Sequence, residues 1–386
     1  MDNITKSLIK TLKKFKKKKL FVHEPDIRTK DFSYLKDCID KDEVSTVGSY
    51  VNSFEKKISN ITKAKNVILT NSGTSALHIS CLLAGVKKND EVLVPAFTFV
   101  ASVNSILYAQ GIPHFIDTKK NNLTIDFQKL DKYLSKISKK YKGRTINKKT
   151  NRTIKAIMIV HPFGHPADCD QIIKISKKYN LEVIEDAADS LGSFFKNKHV
   201  GTFGKIGVLS FNGNKIVTCG LGGAIITNNN KIAKEARNLI SVSKSNHKYK
   251  FIHNKIGYNY RLANINAALG LSQLERFKNT LRLKRKLFKF YDKEINKNYF
   301  KLFEEYGNKK FNYWLQTIMI NKKYKSKVDK ILDQLTKNRF NLRKGWELMT
   351  SLSYLKKYPK MNLDSSKDIQ SRIINLPSSS FLTKNI

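Results

Sequence analysis

The sequence predicts an α/β fold: a mainly parallel sheet covered by helices on both faces, followed by a smaller second domain. Three observations carry that reading. Between about residues 66 and 230, short apolar runs alternate with turn residues and helical periods. The apolar runs are continuous rather than alternating, as strands buried on both faces are. Beyond Arg261 the pattern changes to a long charged helical run and then to mixed short elements. At 386 residues the chain exceeds one compact core, and 40 % hydrophobic residues suffice for two.

Residues 1–20 form a basic amphipathic helix in this reading. Ile4, Leu8, Ile9, Leu12 and Phe15 recur at helical spacing among lysines. Such a face either packs on its own protein or lies on a membrane surface, and packing is the expected use. A large domain is expected over 21–250. Within it 65–69 reads as a strand and 74–84 as a helix, 91–95 as a strand and 101–109 as a helix, 154–160 as a strand and 168–179 as a helix. Strands at 181–184, 208–211 and 224–227 follow. The lysine-rich stretch 137–153 has few apolar positions and reads as an exposed loop. A small domain is expected over 251–386, opening with a helix over 262–277 that runs on to about residue 293.

The formal net charge of +42 invites a nucleic-acid reading. Of 73 basic residues, however, only 11 are arginine, the residue that bidentate base and phosphate contacts favour. The lysines are spread along the chain, as a composition bias acting on a solvated surface would leave them. No nucleic-acid partner is expected, although a basic surface can attract an anionic substrate. Cys38, Cys81, Cys169 and Cys219 are scattered without CxxC spacing. That fits reduced thiols and argues against a disulfide framework or a metal site. No apolar run reaches the roughly 18 residues of a membrane span, and the N-terminus lacks the pattern of a signal peptide. A cytoplasmic protein is expected.

Four segments carry chemistry. Asn71-Ser72-Gly73-Thr74-Ser75-Ala76-Leu77 lies between a strand and a helix. A small, hydroxyl-rich turn opening a helix offers free N–H groups and the positive end of the dipole to a phosphate; its plainer use is an ordinary helix cap. Glu185, Asp186 and Asp189 follow an apolar strand, at the edge where open α/β sheets bind ligands. A buried carboxylate there needs a cationic partner, which a protonated pyridine nitrogen would supply. Ser210-Phe211-Asn212-Gly213-Asn214-Lys215 places a lysine after a strand and a polar turn, with glycines just beyond at 220, 222 and 223. A Schiff-base lysine needs such a pinned backbone. His253 to Arg261 is rich in donors and reads as a substrate or phosphate loop, or as a helix cap. A phosphate cradle, a carboxylate and a lysine 29 positions later make the set of parts that a pyridoxal phosphate site requires.

In the order and spacing of these segments the sequence resembles the nucleotide-sugar aminotransferases of the DegT/StrS kind, over roughly residues 20–380. His23-Glu24-Pro25, Val44-Ser45-Thr46-Val47-Gly48, Ser210 to Lys215 and Gly257 to Leu262 bring it closest to the LegC-like branch. The resemblance implies the aspartate-aminotransferase (type I) fold, with a mixed seven-stranded sheet and a smaller C-terminal α+β domain. It implies pyridoxal 5'-phosphate carried by Lys215, which would also shuttle the proton. Asp186 would pair with the pyridine nitrogen, and Phe99 would stack on the ring. Gly73, Thr74, Ser75 and Ser210 would hold the phosphate. Asn259 would reach it from the neighbouring subunit of a homodimer with shared active sites. Asp189, where many relatives carry His or Gln, would contact the cofactor or the sugar. His165, Arg343 and Trp346 are candidate substrate contacts.

By the same resemblance, the amino group would pass from L-glutamate to C4 of a UDP-linked 4-keto-6-deoxy-N-acetylhexosamine. The product would feed bacillosamine- or legionaminic-acid-type surface sugars. The alternatives are a GDP-linked 4-keto-6-deoxymannose, as in perosamine synthases, and a non-catalytic regulatory relative.

Overall fold

The computed structural model describes residues 1–245 and 247–386. Its centre is a seven-stranded sheet made of β1 (Asn66–Thr70), β2 (Glu91–Pro95), β3 (Ile112–Ile116), β4 (Ile154–Val160), β5 (Glu182–Asp186), β6 (Ile206–Ser210) and β7 (Gly223–Thr227). The spatial order is β1-β7-β6-β5-β4-β2-β3. The strands are parallel except β7, which runs antiparallel to β6 and β1. The strands are buried along almost their whole length because helices cover both faces. The helices of this part of the chain include α2 (Thr29–Asp40), α3 (Ser49–Thr62), α4 (Gly73–Leu83), α5 (Val100–Tyr108), α6 (Phe127–Ile137), α7 (Cys169–Lys178) and α8 (Asn230–Ile240).

Two elements depart from the sequence reading. β3 was not expected: its Ile-Pro-His-Phe-Ile run carries a proline, which cannot donate to a ladder. The structure accommodates it at the sheet edge, where β2 is its one strand neighbour in the sheet and only Phe115 bridges outward, to Lys360. The stretch 137–153 is not an irregular loop. Ser138–Tyr141 and Arg144–Asn147 pair as a hairpin, turned by Lys142 and Gly143 with φ of 45° and 74°. Two successive positive φ values are what a tight hairpin turn of matching twist requires. The hairpin buries Thr145, Ile146 and Asn147, and Asn147 donates to Glu91 at 2.9 Å.

After α9 (Asn264–Glu275) and α10 (Phe277–Glu294), the chain builds an antiparallel sheet. It comprises β8 (Phe300–Leu302), β9 (Gln316–Ile320), β10 (Arg343–Lys344) and β11 (Ile373–Leu376), in the order β8-β9-β11-β10. With α11 (Val328–Lys337) this sheet encloses a second core, to which Leu287, Ile318, Ile331 and Leu376 contribute. The basic N-terminal helix α1 (Asn3–Lys13) packs there. Ile4, Leu8 and Leu12 are buried in that core with Phe15, and the Thr11 hydroxyl donates to the Glu294 carbonyl at 3.0 Å.

α2 is tied to α9 by a buried ion pair. Asp31, fully buried, accepts from Arg276 at 2.8 and 2.6 Å, from the Ser272 hydroxyl at 2.6 Å and from the Arg28 N–H at 2.8 Å. Burial pushes its carboxyl up, but Arg276, Ser272 and Arg28 outweigh burial and hold it below the usual range. Asp31→Ala strands the guanidinium and is expected to cost about 3 kcal/mol in chemical denaturation. Because the folded carboxyl is depressed, the pair's contribution is present above the unfolded value and disappears as pH falls; the variant should therefore lose less stability on acidification than the wild type.

Candidate active site

The C-terminal ends of β1, β2, β4, β5 and β6 reach one edge of the sheet, and antiparallel β7 begins there. A cavity of about 310 Å³ opens at that edge, the position at which an open α/β sheet binds ligands.

Lys215 enters from the turn after β6. Its side chain is 14 % exposed, and Nζ donates to Asp189 Oδ1 at 2.5 Å. The face of the Trp314 ring lies 4.2 Å from the same nitrogen, within the range of a cation–π contact. The other Asp189 oxygen accepts the N–H of Phe163 at 3.1 Å. Phe163 holds a left-handed backbone with φ of 55°.

Glu185 and Asp186 are the last two residues of β5, inside the strand rather than just past it. Successive strand side chains point to opposite faces, and the two carboxylates divide accordingly. Asp186 lines the cavity. It accepts from the Ser102 hydroxyl at 2.6 Å and the Ala188 N–H at 3.1 Å. Burial pushes its carboxyl up and the nearby Asp189 charge adds to that, against the opposing pull of Ser102, Ala188 and Lys215. Glu185 turns the other way and is fully buried. It accepts N–H bonds from Gly201 at 2.8 Å, Phe203 at 2.7 Å and Gly204 at 2.6 Å. His161 Nδ1 accepts from the Ala167 N–H at 3.0 Å, so its Nε2 carries the hydrogen facing Glu185 at 3.1 Å. Burial pushes Glu185 up as well, yet His161 and the backbone donors bring it below the usual carboxylate range.

The turn after β1 forms the opposite wall. Ser72 caps α4, its hydroxyl oxygen accepting the Ser75 N–H at 3.0 Å. Gly73 and Thr74 line the cavity together with Ser210 at the end of β6. Gly73 is pressed against that strand: a Cβ there would lie 2.9 Å from Ser210 Cβ. The Ser75 hydroxyl donates to Asn71 at 2.7 Å and lies 2.8 Å from that of Ser72, so it is spent beneath the turn and does not line the cavity.

The remaining expected residues scatter. Phe99, 54 % exposed, stands at the mouth with its ring 6.3 Å from that of Trp346, and both line the cavity. His165 is buried against Phe311 and Phe303, away from the lining, and burial lowers it to about 3. Arg343 is exposed on β10, and Asn259 is exposed with its main chain bridged to Ser241; neither lines the cavity. Sequence reasoning missed Trp314, Thr98 and Ser102. The chain has two tryptophans and both face this cavity, a signal that rarity alone offered. Thr98 and Ser102 are one helical turn apart, and their hydroxyls lie 2.8 Å apart behind Asp186.

An amine held by a carboxylate, a helix N-terminus and a buried carboxylate short of a cation suit a phosphorylated pyridine aldehyde. The chain matches the model of the DegT/DnrJ/EryC1/StrS aminotransferase family over residues 25–385. It is 34 % identical to the GDP-perosamine synthase of Escherichia coli O157:H7, over 92 % of each chain. It is 32 % identical to a Campylobacter jejuni UDP-4-amino-4,6-dideoxy-N-acetyl-beta-L-altrosamine transaminase, over 82 % of this chain and 81 % of that one. Among solved structures, the Helicobacter pylori aminotransferase PseC of pseudoaminic acid biosynthesis shares the fold, with a TM-score of 0.84 at 24 % identity over 95 % of this chain and 98 % of that one. The chain belongs to the DegT/DnrJ/EryC1/StrS aminotransferase family, and its cofactor is pyridoxal 5'-phosphate. No helix among the described residues is long and apolar enough to cross a membrane.

The two adjacent carboxylates should answer substitution in opposite ways. Glu185→Ala leaves several buried donors without an acceptor and is expected to cost about 3 kcal/mol or more of unfolding free energy. Asp186→Asn removes a charge that burial disfavours, and stability should hold or rise by about 1 kcal/mol. The pH dependence follows the same division. The depressed Glu185 loses its contribution as pH falls, whereas the raised Asp186 favours the fold as it takes up a proton. Denaturation of both variants across acid pH checks the pair of signs.

Proposed function

We propose that this aminotransferase moves an amino group from L-glutamate to C4 of a nucleotide-linked 4-keto-6-deoxy sugar, in the cytoplasm, as a homodimer with shared sites. The observation that carries the reading is the single cavity bounded by the Lys215–Asp189 pair, Asp186 and the start of α4. Pyridoxal 5'-phosphate supplies an electron sink that lets an amino group leave one carbon and arrive at another. The chain's own residues do the rest. Gly73, Thr74 and Ser210 would hold the phosphate at the helix N-terminus, where N–H groups and the dipole favour an anion. Asp186, kept short of cations by its surroundings, would hold the proton on the ring nitrogen. Phe99 would cover one ring face. Lys215 would carry the cofactor and, when released, take and return the proton at the reacting carbon. Asp189 would receive the ammonium between those events, as it does at 2.5 Å in the free enzyme.

The acceptor proposed first is the UDP-linked 4-keto-6-deoxy-N-acetylhexosamine, supported by the LegC-like stretches and by the similarity to the Campylobacter transaminase. A GDP-linked 4-keto-6-deoxymannose is the second reading. The match to a GDP-perosamine synthase over 92 % of each chain favours it. The dimer is supported by Asn259, exposed and away from its own cavity, and by apolar side chains nearby in sequence. Phe251 and Tyr249 are each 79 % exposed and Ile256 is 81 % exposed, more than a solvated surface calls for. Asn259 would contact the partner subunit's phosphate.

Purified protein with added cofactor should turn yellow and lose the colour to borohydride, whereas Lys215→Ala should stay colourless and lose on the order of a thousandfold or more in rate. Offered glutamate and each keto sugar in turn, the wild type should yield an amino sugar from one of them, read by mass; no amino product from either would sink the acceptor assignment. For the shared site, equal amounts of Lys215→Ala and Asn259→Ala subunits, unfolded and refolded together, should recover about a quarter of wild-type activity, because a mixed dimer keeps one intact site. If the mixture stays as inactive as both parents, each chain forms its site alone; if Asn259→Ala is itself fully active, Asn259 plays no part.

A further inference from the structure

Trp314 stands two residues before β9 and packs in the core of the central sheet, and every polar atom it has is committed. Its N–H donates to Asn312 Oδ1 at 2.8 Å. Its carbonyl accepts from Lys284 Nζ at 2.9 Å. Its indole N–H donates to the carbonyl of Asn214, the residue before Lys215, at 2.7 Å. Asn312 is fully buried. Its amide donates to the carbonyls of Asp189 at 2.8 Å and Leu191 at 2.9 Å, and its own N–H is held by the Ser193 hydroxyl at 3.0 Å. The Asn312 side chain fits because residue 164 is glycine. A Cβ there would lie 1.8 Å from Asn312 Oδ1, and its φ is +91°.

Lys284, on α10, is fully buried and donates to the Ser378 carbonyl as well as to Trp314. Both acceptors are carbonyls. Burial lowers this amine well below its ordinary value, and a neutral amine has two N–H groups for its two carbonyl acceptors.

We propose that residues 312–314, leading into β9, form a strap across the back of the active site, in which Asn312 and Trp314, anchored by Lys284, are positioning residues for the Lys215–Asp189 pair. The strap acts at two points of main chain: Asn312 pins Asp189, and the Trp314 indole pins Asn214. With both backbones fixed, Asp189 Oδ1 reaches Nζ, and the ring face closes the other side of the amine. Neither Asn312 nor Lys284 lines the cavity, so they act through the pair. Which reaction this serves rests on the function proposed above; the geometry of the pair does not.

The test has one arm without cofactor and one with it. In cofactor-free protein, acylation of Lys215 by an amine-reactive ester is followed by peptide mass spectrometry, with exposed Lys337 as the internal reference. Trp314→Leu removes the ring face and the indole donor, and Lys215 should react roughly threefold faster than in the wild type, with Lys337 unchanged. Trp314→Phe keeps a smaller aromatic face and loses only the indole donor, so its rate should fall between the two; it carries this arm should the leucine variant fail to fold. In loaded enzyme, Asn312→Ala and Trp314→Phe should lower kcat about tenfold or more, with KM for glutamate within about threefold. Borohydride should still fix the cofactor to Lys215. The proposal is overturned if labelling of Lys215 is unchanged in folded variants, or if kcat loss tracks thermal stability and recovers on cooling. A wild type that takes up no cofactor would instead refute the aminotransferase reading, and the labelling arm would still decide the strap.

Discussion

The division of two adjacent carboxylates across the pleat at the end of β5 is the constraint on which the site depends. Glu185 and Asp186 differ by one position and therefore by one face of the sheet. Glu185 collects three backbone N–H groups from the 201–204 loop and one from the His161 ring. A buried carboxylate with that many donors is a knot. It fixes the chain below the sheet edge, and through His161 it fixes the turn after β4 that presents Phe163 to Asp189. Asp186, one step further on, has two donors in place of four. Burial therefore dominates there, and the group keeps an unmet demand for positive charge. A register slip of one residue would turn Glu185 toward the cavity and Asp186 toward the donors of the 201–204 loop.

The chain beyond α10 contributes to the site as much as the central sheet does. Trp314 and Trp346 both come from beyond α10 and form one side of the cavity, and Asn312 reaches back to the main chain of Asp189. The N-terminal helix α1 joins the second core, which Ile318 of β9 also enters. The first and last stretches of the chain meet there, through Leu8, Leu376 and Leu382 among others, and the basic face of α1 is the outer side of a packed helix. The charge of +42 has a similarly plain physical position. Its lysines lie mostly on the outside, whereas the cavity holds one lysine against two carboxylates among its lining residues.

The legible part of this protein was local. Continuous apolar strands, caps such as Ser72 and the order of turn, carboxylate and lysine depend on residues within a few positions of one another, and these led to the fold class and to Lys215, Asp186 and Gly73. The strand at 112–116 was hidden by Pro113, because only its place at the sheet edge makes a proline tolerable there. The hairpin within 137–153 was hidden because its buried residues face a neighbour far along the chain, Glu91 among them, while its lysines face water. His165 looked available as a substrate contact from its neighbourhood in sequence, but two phenylalanines from beyond residue 300 close over it.

The sequence by itself determined the class of fold, the family and a short set of candidate site residues, since periodicity and short motifs are set by neighbours along the chain. The tertiary structure alone decided which carboxylate faces the cavity, that Asp189 rather than Asp186 holds the Lys215 amine, that Ser75 is spent on its own turn, and that Trp314 backs the lysine. Each of these depends on a contact between segments tens of residues apart. Such contacts come from the packing of the two cores, and no local pattern records them.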